Sequence, residues 1–216
     1  MVKKSIDDND SSKSFLSDFK KSSSKIEGVA TSAPPPQFWL DTGNYVLNKT
    51  ISGSYNKGYA SGRATAIAGP SGVGKSFLLG NAVKNALFDK VNNWGVLIID
   101  AEGAIDEDYL SNIGADHIDN DNYTYRGVST ISQTLELFQM FVNSYKQSGT
   151  TQPFLIGIDS LDQLSTDSEE EQYAKGEMRG DQGQHAKQIK AMLKRMTNDI
   201  KGTNICLLTV KQAYQE

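Results

Sequence analysis

A chain of 216 residues, 38% hydrophobic and 22% charged, is long enough for one packed domain with a tail and too polar to be a membrane bundle. Its formal net charge of −4 excludes a global electrostatic pull towards nucleic acid, so any contact with DNA must be local. The single cysteine, Cys206, excludes an internal disulfide and a cysteine-ligated metal cluster. No apolar run has the length of a membrane span or the form of a signal peptide, so a cytoplasmic protein with no membrane partner is expected.

Residues 1–36 contain nine serines among many Lys and Asp, and end in Ala33-Pro34-Pro35-Pro36. Such a stretch buries too little apolar surface to offset its ordering entropy, and a mostly disordered arm is expected. Within it, Phe15, Leu16 and Phe19 are spaced for one turn of amphipathic helix. That turn is either an anchor for a neighbouring subunit or an apolar spot in a flexible tail.

From residue 37 onward, strands and helices alternate. Strands are expected at Arg63–Ala68, Trp94–Asp100, Tyr123–Arg126, Phe154–Asp159 and Ile205–Val210. Helices are expected at Lys75–Phe88, Glu107–Ile113, Ser129–Gln147 and Gln182–Lys201. Short apolar strands separated by helices imply a mostly parallel sheet with helices on both faces, an α/β architecture. Cys206 falls inside the last apolar strand and is expected to be buried and inert.

The first core strand runs into Gly69-Pro70-Ser71-Gly72-Val73-Gly74-Lys75-Ser76, a complete phosphate-binding loop, with Phe77 opening the next helix. In this motif glycines let backbone N–H groups turn inward around phosphates, the lysine supplies a point charge, and the serine hydroxyl ligates Mg²⁺. The helix N-terminus behind the loop adds further N–H groups and its dipole. Together these predict a P-loop NTPase. The second strand ends Asp100-Ala101-Glu102, and Glu102 is the candidate for polarising a water in line with the γ-phosphate. The third ends Ile158-Asp159-Ser160, an apolar run closed by an acid, and Asp159 is expected to hold Mg²⁺ through water. The last strand leads to Gln212, whose amide is either a γ-phosphate detector or an ordinary surface group.

Residues 182–201 sort their faces. Ile189, Met192, Leu193, Met196 and Ile200 form an apolar stripe, while Lys187, Lys190, Lys194 and Lys201 recur on another face. A lysine row of this kind is either a solvated surface or a contact for a phosphate backbone.

Three stretches taken together resemble the RecA family of recombinases, most closely its phage UvsX-type branch. The first is Asp41-Thr42-Gly43 with Leu47-Asn48, then Ser61-Gly62-Arg63 and the phosphate loop. The second is Asp100-Ala101-Glu102-Gly103-Ala104-Ile105-Asp106 with Tyr109. The third is Ile158-Asp159-Ser160-Leu161, followed by an acidic insert, a basic helix and Gln212. The resemblance implies a RecA-like ATPase core over residues 37–216, incomplete at its C-terminus, because the family's second DNA-binding loop and further strands have no counterpart before Glu216. It implies ATP and Mg²⁺ as cofactors, Glu102 as the hydrolytic glutamate with Lys75 and Gln212 at the γ-phosphate, and Asp106 and Tyr109 at the adenine. Residues 166–186 match the position of the family's first DNA-binding loop, made mobile by Gly176, Gly180 and Gly183. Arg179, Lys187 and Lys190 would meet single-stranded DNA there.

The expected activity is that of a DNA-dependent ATPase. It would assemble as a homo-oligomeric filament on single strands and promote homologous pairing and strand exchange in recombination and repair. Single-strand-binding and loader proteins would be its partners, and the host cytoplasm its compartment if phage-encoded. The alternatives are a RecA-fold regulatory or accessory protein with little DNA-dependent turnover, and a non-catalytic filament subunit. A replicative helicase shares the core fold but explains Asp106 and Tyr109 less readily.

Overall fold

The computed structural model describes residues 8–27, 32, 34–115, 121–177 and 183–213. The chain divides into two compact units, Met1–Pro35 and Pro36–Glu216. In the first, helix α1 (Asp8–Ser23) is much longer than the single turn expected. Phe15 and Phe19 stack on one another with ring centroids 6.3 Å apart, and both are exposed, as is Leu16.

The second unit opens with a small antiparallel pair, β1 (Trp39–Leu40) and β2 (Tyr59–Ala60), around helix α2 (Tyr45–Ser52). The main sheet then begins with β3 (Arg63–Gly69), followed by α3 (Lys75–Phe88) and β4 (Gly95–Asp100). Then follow α4 (Glu107–Asn112), β5 (Tyr123–Gly127), α5 (Ile131–Ser148) and β6 (Phe154–Asp159). A short 3₁₀ turn (Leu161–Gln163) leads to α6 (Asp167–Ala174), α7 (Gln184–Asp199) and β7 (Ile205–Gln212). Strands β3 to β7 form one parallel sheet in the order β3-β7-β6-β4-β5.

The central strands are buried on both sides, so successive residues supply two separate cores. Val96 and Ile98 of β4 join Leu79, Ala82, Val83 and Ala86 of α3 and Leu110 of α4 on one face. Leu97 and Ile99 join Phe138 and Val142 of α5 and Met192 and Met196 of α7 on the other. Helices therefore cover both faces, as expected of this α/β fold. Cys206 lies in the first core, and burial pushes its thiol up to about 12, so it stays protonated and unreactive.

Two segments needed tertiary or capping information. The stretch Asp41–Asn48 is organised by Asn48, which is fully buried. Its carbonyl accepts from the Thr42 N–H at 3.0 Å and the Thr42 hydroxyl at 2.8 Å, while its amide donates to Asp41 at 2.9 Å and the Tyr55 carbonyl at 2.8 Å. Asn85 of α3 donates to the Asp41 carbonyl, which ties this stretch to the helix behind the phosphate loop. The second segment corrects the expectation of a glycine-hinged loop over residues 166–186. Its acidic half is helix α6, begun by a reciprocal capping box in which the Thr166 hydroxyl accepts from the Glu169 N–H and the Glu169 carboxylate accepts from the Thr166 N–H. Asp167, Glu169 and Glu170 in its first turn complement the positive end of the helix dipole. Residues 178–182, including Arg179, lie outside the described residues.

Candidate nucleotide site

The C-terminal ends of β3, β4, β6 and β7 converge on one cleft, of about 290 Å³, lined by Ser71, Gly72, Gly74, Lys75, Ser76, Phe77, Glu102, Tyr109, Ser160, Val210 and Gln212. In parallel sheets this is the edge where ligands bind. Along the chain these residues span the whole distance from the phosphate loop to the last strand.

The loop leaves β3 at Gly69 and enters α3 at Lys75. Gly72 and Gly74 both have left-handed φ, +76° and +88°, a geometry that side chains resist. Alternation of this kind turns successive N–H groups to one side and makes a concave anion nest at the N-terminus of α3. Gly74 occupies the N-cap position without a side-chain cap, so the helix's first N–H groups have no side chain competing with a ligand for them. The Lys75 ammonium donates to the Pro70 carbonyl at 2.7 Å, which draws it across the mouth of the loop.

Asp159, at the tip of β6, is fully buried, and neither of its carboxylate oxygens has a hydrogen-bond partner of ordinary geometry among the described residues. Burial pushes its pKa up to about 6, with the Ser76 hydroxyl and Lys75 pulling it down and the Glu102 and Asp100 carboxylates pushing it further up. An orphaned buried carboxylate beside a serine hydroxyl is a donor set of hard oxygens, which suits Mg²⁺. The peptide between Asp159 and Ser160 is cis.

Glu102 projects from a tight turn whose organiser sequence reasoning did not single out. The Asp100 side chain, only 2% exposed, accepts from the N–H groups of Glu102 and Gly103 at 2.8 Å each and of Ile105 at 3.1 Å. The Tyr125 hydroxyl of β5 donates to it as well, at 3.2 Å. One carboxylate thus folds residues 101–105 around itself and fixes the backbone that carries Glu102. The available signal was an acid at the end of a wholly buried strand followed by four small or polar residues.

Tyr109 lines the cleft from α4. Gly80 of α3 makes room for it: a Cβ there would stand 3.1 Å from Tyr109 Cε1 and 2.7 Å from Ile113 Cδ1. Burial, followed by the field of Asp159, raises the Tyr109 pKa, so its hydroxyl remains protonated at neutral pH. Gly80→Ala is expected to displace the Tyr109 ring and weaken adenine-nucleotide binding about three- to tenfold, equivalent to about 1 kcal/mol. A titration with a fluorescent ATP analogue measures this, with inorganic triphosphate affinity as the unaffected control.

Other expected site residues are placed differently. Gly69, Pro70 and Val73 belong to the loop but do not line the cleft. Asp106 does not line it either. Its carboxylate caps α4 by accepting from the Tyr109 N–H at 2.7 Å. Lys187 and Lys190 are exposed on the first turns of α7, away from the cleft lining. A second, larger cavity, of about 620 Å³, lies between the turn after β6 and the α6–α7 segment, with Asp162, Glu169, Glu170, Tyr173 and His185 among its walls. No helix of the described residues is long and apolar enough to cross a membrane.

The family model of the RecA N-terminal domain matches residues 37–216. No curated protein matches the chain.

Proposed function

Because the chain belongs to the RecA family, we propose that it is an ATP-dependent DNA recombinase of the UvsX type, which binds single strands as a filament and promotes homologous pairing and strand exchange. The observation that carries this is the convergence of Lys75, Ser76, Glu102, Tyr109 and Gln212 on one cleft. RecA-family domains use ATP and Mg²⁺. The nest of residues 69–76 cradles the phosphates, Lys75 neutralises charge on the β- and γ-phosphates, and the Tyr109 ring stacks on adenine. Asp106, with one oxygen committed to its helix cap, has its other oxygen for the base edge. Ser76 and Asp159 would hold Mg²⁺, which would offset the phosphate charge. Glu102 orients and polarises the attacking water, and Gln212 detects the γ-phosphate.

On this reading the single strand meets α7 at Lys187 and Lys190, with Arg179 preceding them. Contact with the phosphate backbone makes binding salt-dependent and tolerant of sequence. Lys187→Ala combined with Lys190→Ala is expected to weaken single-strand affinity and to lower the slope of log affinity against log salt by about 1.4, the share of two phosphate contacts. An unchanged slope removes these lysines from the interface.

The deciding experiment for the function is the ATPase rate with and without single-stranded DNA. Stimulation supports the recombinase. A second reading, a RecA-fold accessory protein with little DNA-dependent turnover, is favoured by one observation: the acidic helix α6 occupies the segment expected to contact DNA. It predicts ATP binding with no rate increase on addition of single strands.

A further inference from the structure

The tip of β7 runs beyond its neighbour. The ladder between β6 and β7 ends at Ile158 opposite Thr209, whereas β7 continues to Gln212. On its other side β7 remains paired with β3 to the end, with Gly69 opposite Gln212 and the Ala213 N–H donating to the Gly69 carbonyl at 3.0 Å. The N–H of Gln212 therefore points to where β6 has already stopped. The Asp162 carboxylate, in the 3₁₀ turn after β6, accepts from it in place of a strand carbonyl.

The same turn is held from its far side. Nε2 of His185, in the first turn of α7, lies 2.6 Å from the Leu164 carbonyl. Leu161 and Leu164 are buried in the core under α5 and α7, so the turn is packed rather than free to adjust piecemeal. Gln212 lines the nucleotide cleft, while Asp162 and His185 line the second cavity beside α6 and α7. Lys187 follows two residues after His185.

We propose that Asp162 is a positioning residue: by holding the Gln212 backbone it aims that side chain over the cleft and transmits the cleft's occupancy to the start of α7. Asp162 touches neither nucleotide nor DNA in this role. The inference rests on the recombinase reading, in which ATP and single-strand affinity are coupled. It adds the route of that coupling, through the turn after β6.

The test measures single-strand affinity of the full chain with a non-hydrolysable ATP analogue and with ADP, for the wild type, Asp162→Ala and Asp162→Asn. In the wild type the ratio of the two affinities reports coupling; a ratio near one defeats the recombinase reading and, with nothing left to transmit, the proposed route with it, whereas the variants test the route alone. Given coupling in the wild type, Asp162→Ala is expected to reduce the ratio about tenfold. Asp162→Asn retains an acceptor oxygen and is expected to stay within about twofold of the wild type. Affinity for the ATP analogue itself should change less than about threefold in both. An undiminished ratio in Asp162→Ala, or an equal loss in both variants, overturns the proposal. Amide exchange at Gln212 in the wild type provides a measurement independent of variant folding. A slowly exchanging Gln212 N–H supports the contact, and a fast one refutes it.

Discussion

Glu102→Gln is expected to leave ATP binding within about threefold of the wild type and to lower ATP turnover by about 100- to 10,000-fold, the range associated with removing a positioned general base. The substitution preserves the shape of the side chain and removes only its charge. Glu102 is exposed in the cleft wall, and its backbone is held by Asp100 rather than by its own carboxylate, so the fold has no reason to respond. The loss should therefore fall on turnover and not on the melting temperature. Single-turnover hydrolysis combined with equilibrium binding of an ATP analogue separates the two quantities. Turnover that survives the substitution assigns water activation to another group and favours a protein that binds ATP as a structural or regulatory ligand.

Asp100→Ala is expected to affect both stability and turnover. The carboxylate is nearly inaccessible and accepts four hydrogen bonds, three of them from the turn that carries Glu102. Leaving such donors unpaired costs about 1–3 kcal/mol each when they remain buried. The Glu102 and Gly103 N–H groups can turn to water, whereas Ile105, with no exposed surface, cannot. A net loss of about 3 kcal/mol follows, which lowers the melting temperature by about 6–12 °C in a chain of this size. Because Glu102 loses its frame, turnover should fall as well, even at temperatures where the protein remains folded. Asp100→Asn is informative beside it: one side-chain oxygen remains, but the amide presents N–H groups towards backbone N–H groups. It should be intermediate in stability and still poor in turnover. A melting temperature within about 2 °C of the wild type for Asp100→Ala would mean that the turn is held by other contacts.

These two carboxylates show where sequence reasoning stopped. Glu102 could be singled out because an acid just beyond a strand tip is a local pattern, and the structure places it in the cleft wall. Asp100, two residues earlier, stands in the same string, yet nothing in the string distinguishes an acid that faces the cleft from one that folds a turn. That difference depends on burial and on which N–H groups point inward. Helix α6 was missed for another reason. It has no apolar face, so hydrophobic periodicity is silent, and the Thr166–Glu169 capping box was the signal that could have found it. The two-residue strands β1 and β2 are too short to leave any periodic trace.

By itself the sequence determined the phosphate loop, the strands that carry the acids, the two-sided covering of the sheet and the family. Each of these is written in neighbouring residues, as a spacing of glycines or as an apolar run of fixed length. Only the tertiary structure decided the strand order, the closure of Gln212 onto the same cleft as Lys75, and the contact between Asp162 and a strand tip fifty residues away. Contacts between distant segments depend on which strand ends lie side by side and how far each extends. No local pattern encodes that, because the pairing is settled by packing the whole sheet at once.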